Sequence, residues 1–104
     1  PGDLTRWHEV RKAAKTARYG AELLVPVLGT QAETCRARWE AVTEALGTMQ
    51  DAVVAQRVIG DLAWQAVTDG LPRLPFDDLR HEQDRVLRDS LARGRAALAA
   101  ALAC

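Results

Sequence analysis

Apolar residues recur at steps of three and four along most of the chain, a spacing that predicts amphipathic helices. No strand-type alternation occurs, so the sequence predicts an all-α fold. The first helix is expected to open at Asp3 or Thr5 and to end at about Val25, because Pro26 and Gly29 follow. Its predicted core-facing residues are Val10, Ala13, Ala14, Ala17, Ala21 and Leu24.

Three more helices follow in this prediction. The second begins with a capping box at Thr30 and ends at Gly47, and Thr48 caps a third that runs to about Val67. A turn with two prolines at 69–75 leads into a long final helix. Helices joined by such short connections favour an antiparallel four-helix bundle, forming a single domain over the whole chain.

The third predicted helix is apolar on two sides. Val54, Val58 and Leu62 form a second face in addition to the one that contains Met49 and Ala63. A helix of this kind is either central or paired with something outside the chain. We therefore expect this second face to contact another half-domain, either an upstream segment or a second copy of the chain.

The charges are balanced overall but unevenly placed. Fourteen basic and fourteen acidic residues give a net charge of zero. The first helix nevertheless concentrates basic groups on the side opposite its apolar arc, and on that basic side only Glu22 is a counter-charge. The final helix instead alternates signs, as in the pairs Asp84–Arg88 and Arg85–Asp89. We call the first-helix cluster the basic stripe; it consists of His8, Arg11, Lys12, Lys15, Arg18 and Tyr19.

The basic stripe is either an ordinary solvated helix face or a binding surface for a polyanion. Its spacing places about one cation per turn of ~5.4 Å, which suits a repeating anion. Arginine offers phosphate a bidentate fork and lysine a mobile charge, while His8 and Tyr19 add further donors. Like charges one turn apart lower helix stability, which favours a ligand that neutralises them. Arg57 is a secondary candidate for the same surface.

Other chemistry is weakly supported. Cys35 and Cys104 form no metal-ligand pattern, so the sequence predicts neither a zinc site nor a disulfide framework, and a reducing cytoplasm is the default location. No metal-binding carboxylate cluster or Gly-rich phosphate loop is present, so we expect no cofactor and binding rather than catalysis. The longest apolar run, 96–103, is too short to cross a membrane.

Two segments carry a family resemblance. The sequence HEVRKAAKTARYGAELL at 8–24 resembles the hallmark helix of the conserved-histidine alpha-helical domain, the CHAD family. The sequence LGTMQDAV at 46–53 is similar to the family signature that follows it, a Leu-Gly turn leading to an acidic residue and an apolar run. The two segments together cover the first ~60 residues of the chain.

The resemblance implies a helical domain of two pseudo-symmetric halves that binds inorganic polyphosphate in a basic cleft, with this chain as the second half. Glu40, Ala41 and Thr43 depart from the family pattern, in which basic residues and glutamine are frequent. In the family such domains often lie beside a triphosphate-hydrolysing domain, and a polyphosphate ligand is compatible with association with polyphosphate granules in the cytoplasm. The implied ligand contacts are His8, Arg11, Lys12, Lys15 and Arg18, with Tyr19 orienting its neighbours.

Two rival functions remain open at this stage. The basic stripe would also dock an acidic partner if the chain were a protein-interaction module. Nucleic acid is a less favoured ligand, because the domain is neutral and few aromatic residues accompany its basic groups.

Overall fold

The computed structural model describes residues 2–104 and their side chains from residue 4 onward. It contains α1 (Gly2–Leu28), α2 (Thr30–Thr68) and α3 (Leu74–Leu102), and no strand within that range. The predicted all-helical class is confirmed. The described residues form three helices rather than the four of the predicted bundle.

The difference in helix number arises at Gly47. This residue does not end a helix but lies inside α2, which continues for 39 residues. A glycine within a helix costs about 1 kcal/mol relative to alanine, but here it makes room for a neighbour. A side chain at this position would begin 3.1 Å from the Arg11 Nη2 atom. Gly47 therefore leaves room for the Arg11 guanidinium against α2.

The predicted boundaries of the first helix also need correction. α1 already includes Gly2 and Thr5, so Thr5 is no cap, while the side chain of Asp3 lies outside the described residues. The helix continues through Pro26 to Leu28. The next residue, Gly29, terminates the helix with a positive φ of 61°, a conformation that favours glycine.

The capping box predicted at the start of α2 is absent. The helix is preceded by Gly29, which makes no side-chain cap, so Thr30 is the first helical residue rather than the cap. The Glu33 carboxylate accepts hydrogen bonds from the Arg36 guanidinium instead. Backbone conformation at Gly29 overrides the local side-chain signal here.

α2 is the central helix, and both neighbours run antiparallel to it. On one side His8 of α1 contacts Gln50, and on the other Arg38 donates a hydrogen bond to the carbonyl oxygen of Ala100 in α3. The molecule is elongated, measuring 63 × 22 × 17 Å. Its long dimension follows from α2, since 39 residues at ~1.5 Å per residue span about 58 Å.

The core lies where all three helices meet. A fully buried group is surrounded by seven partly buried apolar residues that include Trp7 and Trp39. Gly94 brings α3 close to α2, because a Cβ atom there would lie 2.8 Å from the Leu46 Cδ2 atom. The fully buried residues of this group are Ala14, Val42, Leu46, Met49 and Ala101.

The distal half of α2 extends past the beginning of α1 and packs mainly against α3. Val54, Val58 and Leu62 are each about half exposed there, as their second apolar face predicts. Trp64 is 76% exposed, whereas Trp7 and Trp39 pack against the core. The prediction that another half-domain covers this face stays a prediction.

The two cysteines form a disulfide, contrary to the sequence prediction. Cys35 and Cys104 are 69 residues apart in sequence, and their Cα atoms lie 5.9 Å apart. Antiparallel packing of α2 and α3 brings the two cysteines together, and their spacing in the sequence does not predict this contact. The bond ties the last residue of the chain to the first half of α2.

The three helices are amphipathic rather than uniformly apolar. Within residues 2–104, none is long and apolar enough to cross a membrane.

Candidate functional site

A groove runs along one face of α2 and receives side chains from all three helices. One wall is part of the basic stripe of α1, the floor belongs to α2, and Arg93 of α3 stands on the other side. We refer to it as the groove. Its lining residues are Arg11, Lys15, Arg18, Thr43, Glu44, Gly47, Thr48, Asp51 and Arg93.

The α1 wall carries three half-buried cations. Arg11, Lys15 and Arg18 are spaced by four and three residues, so they lie in one row along α1 that is about 10 Å long. Within the described residues, neither Arg11 nor Lys15 has a carboxylate partner within 4 Å. Arg18 has only a long contact, 3.8 Å from its Nε atom to the Glu22 carboxylate. The row therefore keeps most of its positive charge available.

The two arginines of this wall have incomplete hydrogen bonding. The Arg11 Nη1 atom donates to the Gln50 side-chain oxygen over 3.1 Å. The Nε atoms of Arg11 and Arg18 are buried and have no acceptor among the described residues. A buried donor without a partner costs about 1–3 kcal/mol.

The floor of the groove is polar. The Thr43 and Thr48 hydroxyls donate to the backbone carbonyls of Glu40 and Glu44, over 2.8 and 3.1 Å. Glu44 and Asp51 add two carboxylates, against four cations in the groove as a whole. The groove thus has an excess of positive charge although the chain is neutral. Asp51 lies inside α2 and lines the groove, on the same side as the α1 cations.

Arg93 was missed by the sequence reasoning. It is one of several arginines on α3, and nothing in its local sequence separates it from Arg85 or Arg88. Only the antiparallel register of α3 against α2 places Arg93 opposite the α1 wall. Gln50 was missed for the same reason, since its contacts lie on another helix.

The rest of the basic stripe does not line the groove. Lys12 is exposed and pairs with Glu9 over 3.0 Å. Tyr19 is 51% exposed, and the Arg18 guanidinium lies over its ring, 4.8 Å from the ring centre. Its orienting role stays a prediction. Arg57 is exposed on α2, outside the groove lining.

His8 also lies outside the groove lining, but it is connected to it. Its Nδ1 atom lies 2.9 Å from the Gln50 side-chain nitrogen, and Gln50 in turn holds Arg11. The structure therefore places His8 next to the groove-lining Arg11 rather than in the groove lining itself.

Among the described residues, neither shifted pKa values nor clustered metal ligands indicate a second functional site. Hydrogen bonds from Arg36 and Arg85 lower the pKa values of the exposed Glu33 and Glu82 carboxyls, both away from the groove. His81 lines a separate surface pocket with Asp77 and Asp84. In the part of the chain that the structure describes, no cluster of His, Cys, Asp or Glu side chains is arranged to hold a metal ion.

The fold and the groove together define a helical protein with a cation-rich surface groove, a class suited to binding anions. The family model of the CHAD domain matches residues 1–60 of the 104. The chain therefore belongs to the CHAD domain family, as the two sequence motifs indicated. Searches of curated proteins and of solved structures found no match.

Proposed function

We propose that the chain binds inorganic polyphosphate in the groove. The observation that supports this most directly is the row of Arg11, Lys15 and Arg18 facing Arg93, four cations with few counter-ions in one groove. A flexible chain of phosphates offers a negative charge at every unit, so it can contact such a row without a single required register. The family resemblance implies the same ligand.

The proposed role is to bind polyphosphate and not to catalyse a reaction on it. Phosphoryl transfer relies on positioned metal ions or a phosphate-cradling loop. The groove instead presents mainly arginine, lysine and threonine side chains, with Glu44 and Asp51 as its two carboxylates. A catalytic domain elsewhere in a longer protein, such as a triphosphate hydrolase, is compatible with this role. The chain itself would hold the polymer.

The proposal includes a cytoplasmic location. The Cys35–Cys104 disulfide bears on this part, because disulfides persist mainly in oxidising compartments. The redox state of the two cysteines in cells therefore tests the location separately from the ligand.

Titration of the 104-residue chain tests the ligand. Polyphosphates of defined length, from pyrophosphate upward, are added in an isothermal calorimetry series at fixed salt. Affinity should rise with length until the polymer spans the ~10 Å row, because short anions reach only one or two of its cations. Orthophosphate should bind least. Equal affinity for all lengths, or no heat at low salt, would contradict the proposal.

The acidic-partner alternative is tested in the same experiment. Poly-glutamate of matched charge carries carboxylates on a bulkier repeat and lacks the tetrahedral oxygens that guanidinium forks recognise. We expect long polyphosphate to displace poly-glutamate efficiently and the reverse exchange to be poor. Tighter binding of poly-glutamate would favour a protein-docking role.

Replacing Arg93 tests whether α3 takes part. In Arg93→Ala we expect polyphosphate affinity to fall about tenfold, the cost of one charge-assisted contact. Arg88→Ala is the matched control, because it removes the same charge from an exposed position on the same helix. Equal effects of the two substitutions would indicate a general charge effect and remove Arg93 from the site.

A further inference from the structure

Three side chains form a hydrogen-bonded series that begins at the groove-lining Arg11. The Arg11 Nη1 atom lies 3.1 Å from the Gln50 side-chain oxygen, and the Gln50 side-chain nitrogen lies 2.9 Å from the His8 Nδ1 atom. His8 and Arg11 are one turn apart on α1, while Gln50 reaches both from α2. Arg11 in turn lies over Gly47 on the groove wall.

The chemistry of these groups fixes the direction of every hydrogen bond. A guanidinium only donates, so Gln50 must present its oxygen to Arg11. The amide nitrogen of Gln50 is then turned to His8, and it can only donate. The Nδ1 atom of His8 must therefore accept, which requires a neutral imidazole with its proton on Nε2.

From this geometry we propose that His8 and Gln50 are positioning residues for Arg11 and that neutral His8 selects the amide orientation which holds Arg11 at the groove. This inference deepens the proposed function, on which its ligand-binding part rests. Protonation of Nδ1 makes His8 a donor, so the Gln50 oxygen must turn toward it. The Gln50 nitrogen then faces Arg11, two donors meet, and Arg11 is released.

The charged groups around His8 belong to all three helices. Arg11 and Lys12 follow one turn later on α1, and Lys12 is paired with Glu9. Asp51 adjoins Gln50 on α2, and Arg95 of α3 lies over the ring of Trp7, which precedes His8. His8 is exposed, so water carries protons to and from it freely.

Nuclear magnetic resonance of the ligand-free chain tests directly whether His8, Gln50 and Arg11 are coupled. As pH falls through the titration of His8, the side-chain amide signals of Gln50 and the Nε–H signal of Arg11 should move together with it. The amide of Gln31, exposed near the start of α2, serves as the unchanged reference, and His81 is the control imidazole. A Gln50 amide that ignores the titration of His8 would overturn the proposal.

A second measurement exchanges the proton donor. In Gln50→Glu the carboxylate still accepts from Arg11 but has no proton for His8. The Nδ1 atom should then carry a proton itself, visible in the imidazole nitrogen spectrum, whereas His81 should keep its spectrum. An unchanged His8 spectrum would mean that Gln50 does not set its protonation pattern.

Binding measurements separate positioning from direct ligand contact. The Asn amide oxygen can replace Nδ1 as acceptor, so His8→Asn should bind polyphosphate like the wild type, while His8→Leu should bind about three- to tenfold more weakly. His8→Leu should add no further loss in a Gln50→Met background, because both changes break one series. Equal losses of affinity in His8→Asn and His8→Leu would contradict the positioning role of His8. Additive losses from His8→Leu and Gln50→Met would contradict it as well. Failure of the chain to bind polyphosphate leaves the spectroscopic result intact, so the two proposals fail separately.

Discussion

Polyphosphate affinity should fall about 100-fold or more when Arg11, Lys15 and Arg18 are all replaced by alanine. Each charge-assisted contact is worth about 1 kcal/mol or more, and three of them amount to at least two powers of ten. The salt dependence should weaken too, because the slope of log affinity against log salt falls by about one for each lost phosphate contact. Calorimetry at three or more salt concentrations measures both effects.

A control with equal charge is available outside the groove. Arg73, Arg85 and Arg88 are exposed and form ion pairs with carboxylates of α3, Arg73 from the position just before the helix and the other two from within it. Their replacement by alanine also removes three positive charges but leaves the groove intact. We expect this variant to lose much less affinity, through the long-range field alone. If both triple variants lose affinity equally, the groove is not the binding site and the proposed function fails.

The helical class was predictable because its signal is local. A period of 3.6 residues recurs wherever a helix buries one face, and it requires no knowledge of the partner. Helix ends were predicted less well. Gly47 and Pro26 both look like terminators in sequence, yet one lies within α2 and the other within the last turn of α1. Packing against a neighbouring helix outweighs the ~1 kcal/mol that such a glycine costs.

The candidate site was predictable to the extent that it lies on one helix. Spacing on α1 identified Arg11, Lys15 and Arg18. The spacing did not separate these three residues from Lys12. The basic stripe covers an arc of ~120° on α1, and only part of that arc lies next to α2. Arg93 and Gln50 depend on the register between helices, which the sequence pattern leaves open. The disulfide escaped prediction for the same reason.

Loss of that disulfide should have the largest effect on stability. A bond between Cys35 and Cys104 closes a loop of 69 residues, and the chain-entropy model assigns such a loop about 4 kcal/mol. For a domain of this size, each kcal/mol shifts the melting temperature by about 4–8 °C. We therefore expect a reducing agent to lower the melting temperature by roughly 15 °C or more. Circular dichroism at 222 nm follows the transition.

The control separates the disulfide from other effects of the reductant. Cys104→Ser should melt at the lower temperature under all conditions and should not respond to the reductant. Thiol titration of the unfolded wild-type chain should find fewer than one free thiol before reduction and about two afterwards. Two free thiols before reduction, with a melting temperature that the reductant leaves unchanged, would show that the cysteines are not joined in solution. The α2–α3 pairing would then depend on noncovalent contacts, such as the packing of Leu46 against Gly94.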